Sequence, residues 1–317
     1  MNVLAPVNSI ESALKMINSG ANEIYLGADE CIFETYSFTG RGKISYGNTR
    51  ILPSYDSLKE IVDFAHQNNV KVNFIANIPY LHNGAISTSN VEAAFLKYVE
   101  TGLKANVDSV VVGDIGLLHS VNQQNYKVEL HASIYFKTLN SQQLLLLAQL
   151  GVTRTCLSYH VTLEEIEKLI QADIMDIEVV GYLGCSFYNG TCGFLHELGE
   201  GVVDDFDPGI ACKNIFSIRT KNEIQRVSFD VERGCSICSL GSLDKIGVKA
   251  LKIVGRDKSS DQMAEIVKLY LDMIQLHKNG GFGAEYVNLL PQWWRKIWCS
   301  KKRCKYRQNP MSKYIIG

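Results

Sequence analysis

The 317-residue sequence lacks the segments that would carry a protein into or across a membrane. Its first residues contain neither a basic leader nor an apolar stretch, so they do not resemble a signal peptide. No apolar run approaches the roughly 18–20 residues that a membrane span requires. The nine cysteines are an odd number, which does not suit a secreted disulfide framework. These absences predict a soluble, cytoplasmic protein with no membrane span.

Several familiar catalytic motifs are also missing. No Gly-x-Gly-x-x-Gly follows the first predicted strand, which argues against a dinucleotide-binding sheet. Neither Gly-x-Ser-x-Gly nor His-Glu-x-x-His occurs, so the chain has no local signature of a serine hydrolase or of a zinc peptidase.

Acidic residues are absent after Glu285, although the net charge of the whole chain is only −1. The tail beyond that point carries eight basic residues and all three tryptophans, Trp293, Trp294 and Trp298. Basic residues interleaved with aromatic rings can bind RNA, because they pair with phosphates and stack on bases. Alternatively, the tail docks on the body through its tryptophans and shows its charges to water. Buried rings would favour docking and exposed rings would favour binding.

What the sequence does contain is a regular alternation of short apolar runs and amphipathic stretches. Eight predicted strands are mostly followed by helices, which is typical of a (β/α)8-type barrel, complete or nearly so. Residues 215–231 alternate apolar and polar side chains and predict a β-hairpin inserted before the last strand. The predicted organisation is a barrel domain over residues 1–280 and a basic tail over residues 281–317.

Five cysteines fall within one 54-residue stretch: Cys185, Cys192, Cys212, Cys235 and Cys238. In a reducing cytosol, thiols that meet in space bind a metal more readily than they form disulfides. Their irregular spacing does not match a zinc finger and suits an iron–sulfur cluster, which needs only four cysteines that meet in the fold. The alternative is that they are buried and chemically idle. Cys156 is predicted to be packing, and Cys299 and Cys304 in the tail are weak candidates for a second metal site.

Three segments together carry a resemblance to a known family. They are residues 4–7 with 20–27, residues 185–192 with Cys212, and Cys235 with residues 251–259. This pattern resembles the collagenase-like peptidase family, peptidase family U32, over roughly residues 2–275, with the tail from about residue 280 outside it.

The resemblance implies a barrel and, in many members, a 4Fe–4S cluster held by four cysteines. Cys185, Cys192 and Cys212 match three ligand positions, Cys235 matches the fourth, and Cys238 is a competing ligand. Cys31 lies where some relatives of the ubiquinone pathway place a ligand. The family includes oxygen-independent hydroxylation proteins that act on ubiquinone precursors, tRNA or ribosomal RNA, and older annotation describes it as collagen-degrading peptidases.

The sequence also departs from the family pattern. A family Arg-Glu pair appears here as Tyr159 and His160, and Gly181 and Tyr182 stand where a histidine is common. These departures weaken any direct transfer of a substrate class.

Three further residues are candidate catalytic groups because they lie at or near predicted strand ends. His131 and His160 could contact substrate, although each could also be structural. Arg256 follows a glycine and could hold an anionic substrate, for which a guanidinium is well suited. The sequence thus predicts an iron–sulfur hydroxylase acting on RNA or a quinone precursor. The alternatives are a peptidase and a non-catalytic cluster-bearing subunit that pairs with a homologous partner.

Overall fold

The computed structural model describes residues 1–28, 53–77, 88–183, 215–219, 223–228, 234–255, 258–280, 288–300 and 303–306. Within these residues the chain forms ten strands. They are β1 (Asn2–Pro6), β2 (Glu23–Leu26), β3 (Lys71–Ala76), β4 (Ser109–Val112), β5 (Glu129–Ala132), β6 (Val152–Cys156), β7 (Asp176–Tyr182), β8 (Ile215–Arg219), β9 (Ile224–Ser228) and β10 (Ala250–Ile253).

Eight of these strands close into a parallel barrel in the order β1-β10-β7-β6-β5-β4-β3-β2. Strand β1 closes the ring because it pairs with β2 on one side and with β10 on the other. The remaining strands, β8 and β9, form a separate antiparallel pair. Both the barrel and the inserted hairpin predicted from the sequence are therefore confirmed.

Helices surround the barrel and connect its strands. They are α1 (Ile10–Asn18), α2 (Tyr55–Gln67), α3 (Thr88–Lys104), α4 (Ile115–Gln123), α5 (Ser141–Gln149), α6 (Leu163–Gln171), α7 (Leu240–Lys245), α8 (Ser260–Lys278) and the short α9 (Gln292–Trp294). Many begin at a side-chain cap, as α1 does at Ser9 and α6 does at Thr162, where each cap also forms a capping box. Such caps satisfy backbone N–H groups that the first helical turn leaves unpaired. No helix among the described residues is long and apolar enough to cross a membrane.

Alternate residues of the barrel strands face opposite sides. One set, exemplified by Val3, Ile24 and Phe74, packs with the surrounding helices in the main apolar core. The other set points into the barrel, where Leu4, Tyr25, Ile75 and Val111 form a separate apolar cluster. The barrel interior is therefore filled by side chains and is not a pore.

The amino-terminal end of the barrel interior is closed by a buried polar network centred on Glu23. The Glu23 carboxylate accepts hydrogen bonds from Asn2 Nδ2 at 2.7 Å, from Asn73 Nδ2 at 3.1 Å and from Arg154 Nη1 at 2.6 Å. Burial by itself would raise the pKa of Glu23, but these donors, Arg154 foremost, outweigh it and leave the pKa lowered. Glu23 is thus held as a carboxylate where the strands begin.

Candidate functional site

The carboxyl end of the barrel is where β7 meets two later parts of the chain. Beyond β7, Leu183 N donates to Gly234 O at 2.8 Å. Tyr182 forms an antiparallel bridge with Cys235, and Cys235 forms a parallel bridge with Cys304. Cys235 therefore lies between the end of β7 and the C-terminal segment, defined here as residues 288–300 and 303–306.

The pairing with the C-terminal segment is made by backbone hydrogen bonds on both sides of Cys235. Cys235 N donates to Arg303 O at 3.3 Å, and Lys305 N donates to Cys235 O at 2.8 Å. This places a short stretch of the tail, Arg303 to Lys305, as an added strand-like element at the catalytic end of a (β/α)8 barrel.

Four thiols gather at this junction, and we call them the thiol quartet: Cys235, Cys238, Cys299 and Cys304. The first three are buried and Cys304 is partly exposed. A thiol–thiol hydrogen bond with Cys304, followed by burial, raises the pKa of Cys238. Burial, with a smaller effect of Cys304, raises the pKa of Cys299 to about 11. Cys238 and Cys299 are therefore protonated near neutral pH unless a cation lies beside them.

Two N–H donors act on the sulfur of Cys235. Burial raises its pKa, whereas the Ile237 backbone N–H and the Trp294 indole act in the opposite direction. The buried Trp294 Nε1 is thus near the Cys235 sulfur, but it makes no hydrogen bond of good geometry with any of the described residues. Its N–H therefore remains available to a sulfur anion. No three His, Cys, Asp or Glu side chains in these parts of the chain already stand in an arrangement that could hold a metal ion.

An aromatic cluster covers the quartet and attaches the C-terminal segment. The Trp294 ring centroid lies 5.5 Å from that of Tyr182 and 5.7 Å from that of Trp298. The backbone beneath has to be bare, since a Cβ at Gly234 would approach the Trp298 ring to 2.7 Å. Only glycine, which has no Cβ, allows the backbone to come this close to the ring.

The fate of the tryptophans favours the docking alternative for the tail. Trp294 and Trp298 are buried, and only Trp293 is substantially exposed, at 42%. Lys305, one of the eight basic residues of the tail, is buried as well. Trp294, Trp298 and Lys305, which the sequence made candidates for RNA contact, therefore pack on the barrel instead.

Lys305 itself is a residue whose role the sequence analysis missed. Its ammonium group donates a hydrogen bond to Val180 O and lies 4.4 Å from the centroid of the Tyr159 ring, close to buried Cys156. Burial lowers the pKa of Lys305 to about 7. In the sequence it is one of a run of lysines and arginines, and only its partners in the fold distinguish it.

His131 lies inside the barrel and is almost fully buried. Its Nε2 lies 3.2 Å from Glu129 Oε2, at the start of the same strand. Its Nδ1 is buried and has no hydrogen-bond partner among the described residues. The visible contact is directed toward the amino-terminal end, away from the thiol quartet, and a catalytic role for His131 stays a prediction.

His160 follows β6 at the carboxyl end of the barrel and is exposed. Its ring packs edge-on against Tyr159, with centroids 6.1 Å apart. It thus lies at the end of the barrel expected for substrate contact, and its role also stays a prediction. Cys156, as predicted, is buried at the end of β6, where burial raises its pKa.

The other predicted site residues lie outside the described residues. These are Cys31, Cys185, Cys192, Cys212 and Arg256. Of the predicted cluster ligands, the structure therefore describes Cys235 and Cys238. It places both beside Cys299 and Cys304, which the sequence alone could not connect to them.

The chain is similar in sequence to several known proteins. It is 25% identical over 281 residues to the 23S rRNA 5-hydroxycytidine C2501 synthase of Escherichia coli, covering 86% of this chain and 39% of that protein. It is 23% identical over 325 residues to tRNA hydroxylation protein P of Haemophilus influenzae, covering 84% of this chain and 66% of that protein. The chain thus spans less than two thirds of the length of both relatives.

Among solved structures, the U32 peptidase Mk0906 superposes with a TM-score of 0.51 at 12% identity, over 80% of this chain and 93% of that one. This likeness shows a shared fold. The sequence profile of peptidase family U32 matches residues 8–309. The match corrects the boundary drawn from motifs, because it continues through the C-terminal segment instead of stopping near residue 275. The chain belongs to peptidase family U32.

Proposed function

We propose that this chain is an RNA hydroxylation protein that works without molecular oxygen and holds a 4Fe–4S cluster. The observation that carries the proposal is membership of a family whose matching relatives include proteins named for tRNA and rRNA hydroxylation. The thiols at the carboxyl end of the barrel add support, because this is the end where barrel enzymes place their chemistry.

The described residues are chemically suited to such a cluster. Iron–sulfur clusters are bound by cysteine thiolates, and hydrogen bonds to the sulfurs tune them. Cys235 has an N–H donor from Ile237 and the otherwise unpartnered indole of Trp294 nearby. In the proposal, Cys185, Cys192 and Cys212 supply three thiolates, and the sequence leaves the fourth between Cys235 and Cys238. When bound, the cluster would supply electrons and a Lewis-acidic iron for activating an oxygen donor.

The residues of this chain would then bind and orient the reactants. Lys305 presents a cation at the buried carboxyl end of the barrel, beside Tyr159. An ammonium in such a site attracts an anionic group, and its depressed pKa suits proton exchange near neutral pH. In the proposal, Arg256 or His131 holds a carboxylate of one of the reactants.

Deletion of the gene and mass spectrometry of nucleosides from tRNA and rRNA tests the function. We expect one hydroxylated nucleoside to disappear and to return with the wild-type gene, but not with Cys192→Ala. Cys156→Ser is the matched control, since Cys156 belongs to neither thiol set, and it should restore the nucleoside. Unchanged nucleosides with an altered quinone pool would move the substrate to a quinone precursor. No change in either pool would favour the peptidase activity that the family name records, or a cluster-bearing subunit that needs a homologous partner.

RNA contact by the tail is tested better by point variants than by truncation. Removing residues beyond about 290 would also remove Trp294 and Trp298 from the core. Trp293 and Lys296 are exposed on the same turn and remain available to RNA. We expect Trp293→Ala with Lys296→Ala to weaken RNA binding and to reduce its salt dependence, since fewer counterions are released. Equal affinity and equal salt dependence in both proteins would limit the tail to docking.

A further inference from the structure

Lys305 places a cation in the mouth of the barrel, at the point where β6 ends. At that end, Leu157 N donates to Glu178 O at 2.9 Å, whereas the next N–H, that of Ser158, donates to a residue outside both strands. Val180 O is the next carbonyl on the same side of β7, and it accepts a hydrogen bond from Lys305 Nζ. The C-terminal segment therefore pairs with a strand end that β6 has left.

Lys305 is buried at this position, and no carboxylate of the described residues forms an ion pair with it. Its neighbours are the thiol of Cys156 and the rings of Tyr159 and Tyr306, whose centroids lie 4.4 Å and 5.3 Å from Nζ. Ring faces attract a cation but do not neutralise it. A neutral donor would satisfy Val180 O without the cost of burying a charge. The use of a lysine here therefore points to a negatively charged partner.

A second ammonium group, that of Lys252, reaches the same part of the barrel from the other side of β7. Lys252 on β10 is in register with Val180, so both side chains point into the barrel. Its Nζ lies 3.5 Å from Glu178 Oε1 and 4.4 Å from the centroid of the Tyr25 ring. The Lys252 side chain keeps 15% of its exposure. Solvent therefore reaches this part of the barrel interior.

The charges at this mouth do not balance among the described residues. Glu178 compensates Lys252, so a protonated Lys305 leaves an excess of one positive charge. The surrounding side chains form a separate, largely apolar cluster: Cys156, Tyr159 and Val180, with Ile134 and Val254 packed against them. One excess positive charge between apolar walls suits a monoanion with an apolar body better than it suits a doubly charged phosphate.

We propose that Lys305 binds a small organic monocarboxylate in the mouth of the barrel, beside the balanced pair of Lys252 and Glu178. An ammonium group has three N–H donors, and Val180 O takes one of them. The others would donate to the carboxylate. This contact is in addition to the one assigned to Arg256 or His131.

The site rests on the proposed function and deepens it, because it gives an anionic reactant a place at the catalytic end of the barrel. Binding of a carboxylate can be measured without RNA. A failed binding test would leave the hydroxylation assay untouched, and a failed hydroxylation assay would leave the binding site in place.

The first experiment measures binding of benzoate, a monocarboxylate with an apolar ring, to the anaerobically purified full-length protein. Benzoate should raise the Tm of the wild type in a saturable manner, whereas inorganic phosphate at the same ionic strength should raise it little. Lys305→Met keeps the length of the side chain but removes the charge, and it should weaken benzoate binding about 10-fold or more. The matched control is Lys168→Met, which removes an ion-paired lysine from an exposed helix surface and should bind benzoate as the wild type does.

Glu178→Gln tests the charge balance in the opposite direction. Removing this carboxylate leaves both ammonium groups uncompensated, so benzoate should bind more tightly and phosphate should now bind as well. If Lys305 served only to pair with Val180 O, neither Lys305→Met nor Glu178→Gln would change benzoate binding, and that result would overturn the proposal.

A further measurement uses only the wild type and so does not depend on how the variants fold. Lysines are reductively methylated, and the extent at each position is determined by peptide mass spectrometry. Saturating benzoate should protect Lys305 and not Lys168. Equal methylation of Lys305 with and without benzoate, or a wild-type Tm that benzoate does not change, would overturn the proposal. Protection by inorganic phosphate or by an RNA oligonucleotide, and not by benzoate, would overturn the carboxylate assignment and give the site to a phosphate group.

Discussion

The two ends of this barrel are closed by opposite kinds of chemistry. At the amino-terminal end, Glu23 and Arg154 form a fully buried ion pair, and neighbouring amides satisfy the carboxylate. At the carboxyl end, thiols and aromatic rings gather under a segment from far along the chain. At the first end, the carboxylate and its counterion are paired by residues of the barrel strands themselves. The second end has thiols whose protons a bound cation would displace and an indole N–H that would donate to a ligand sulfur. This is the difference between a structural end and a candidate functional site.

The largest expected effect comes from breaking the structural end. Arg154→Ala leaves the buried Glu23 carboxylate without its counterion, and we expect it to lower the free energy of unfolding by about 3–5 kcal/mol. Urea denaturation followed by circular dichroism measures this. The matched control is the double variant Glu23→Gln with Arg154→Met, which removes both charges and should lose clearly less. A double variant as unstable as Arg154→Ala would mean that packing, not charge, holds this end together.

The next effect comes from the aromatic cover at the other end. Trp294→Ala removes a fully buried ring between Tyr182 and Trp298, and we expect it to cost about 3 kcal/mol. Thermal unfolding at fixed metal content measures the loss. Limited proteolysis should at the same time cut first near residue 290, because the ring fastens the C-terminal segment. Unchanged proteolysis would show that the backbone pairing with Cys235 is enough to hold that segment.

A smaller effect concerns acid stability at the structural end. The hydrogen bond from His131, followed by the contact with Lys71, lowers the pKa of Glu129 to about 2 against the opposing effect of burial. A depressed carboxylate stabilises the fold above its ordinary pKa of 4.5, and that contribution is lost as the pH falls toward 2. Because Glu129 is 43% exposed, solvent limits the contribution to less than about 1 kcal/mol.

Unfolding free energies of wild type and Glu129→Gln at pH 5, 4 and 3 (about one unit apart, spanning the acid limb) test this. The variant should show a shallower loss of stability with acid. Glu164→Gln, on an exposed helix surface, is the control and should follow the wild type. If the unfolding free energies of wild type and Glu129→Gln fall in parallel as the pH is lowered, ionisation of Glu129 does not contribute to acid stability.

The smallest effect sharpens the contrast within the C-terminal segment itself. Trp293 is adjacent to Trp294 but is 42% exposed. We expect Trp293→Ala to change the free energy of unfolding by no more than about 0.5 kcal/mol. Urea denaturation beside Trp294→Ala makes the comparison direct. A loss equal to that of Trp294 would mean that the ring packs more tightly than its exposure indicates.

Much of the barrel was predictable because its signals are local. A Val-rich run such as β4, or a capped helix such as α6, can be recognised from a few neighbouring residues. The quartet was not predictable, because Cys235 and Cys304 are joined by backbone pairing between distant segments. The spacing of Cys299 and Cys304 signals a possible site but not its partners. The burial of Lys305 was not predictable either, because its partner Tyr159 is distant in the sequence and Lys305 stands in a run of basic residues.

The position of β1 has a consequence for how the protein is made. Leu4 pairs with Glu23 on one side and with Lys252 on the other. At about 5–20 residues per second, the ribosome delivers the second neighbour roughly 10–50 s after the first strand. Until then the nascent chain holds an open sheet, and Cys304 arrives later still. The thiol end is thus completed only after all eight barrel strands have been synthesised. If the proposed cluster is bound there, we expect its insertion to follow synthesis of these residues instead of accompanying it.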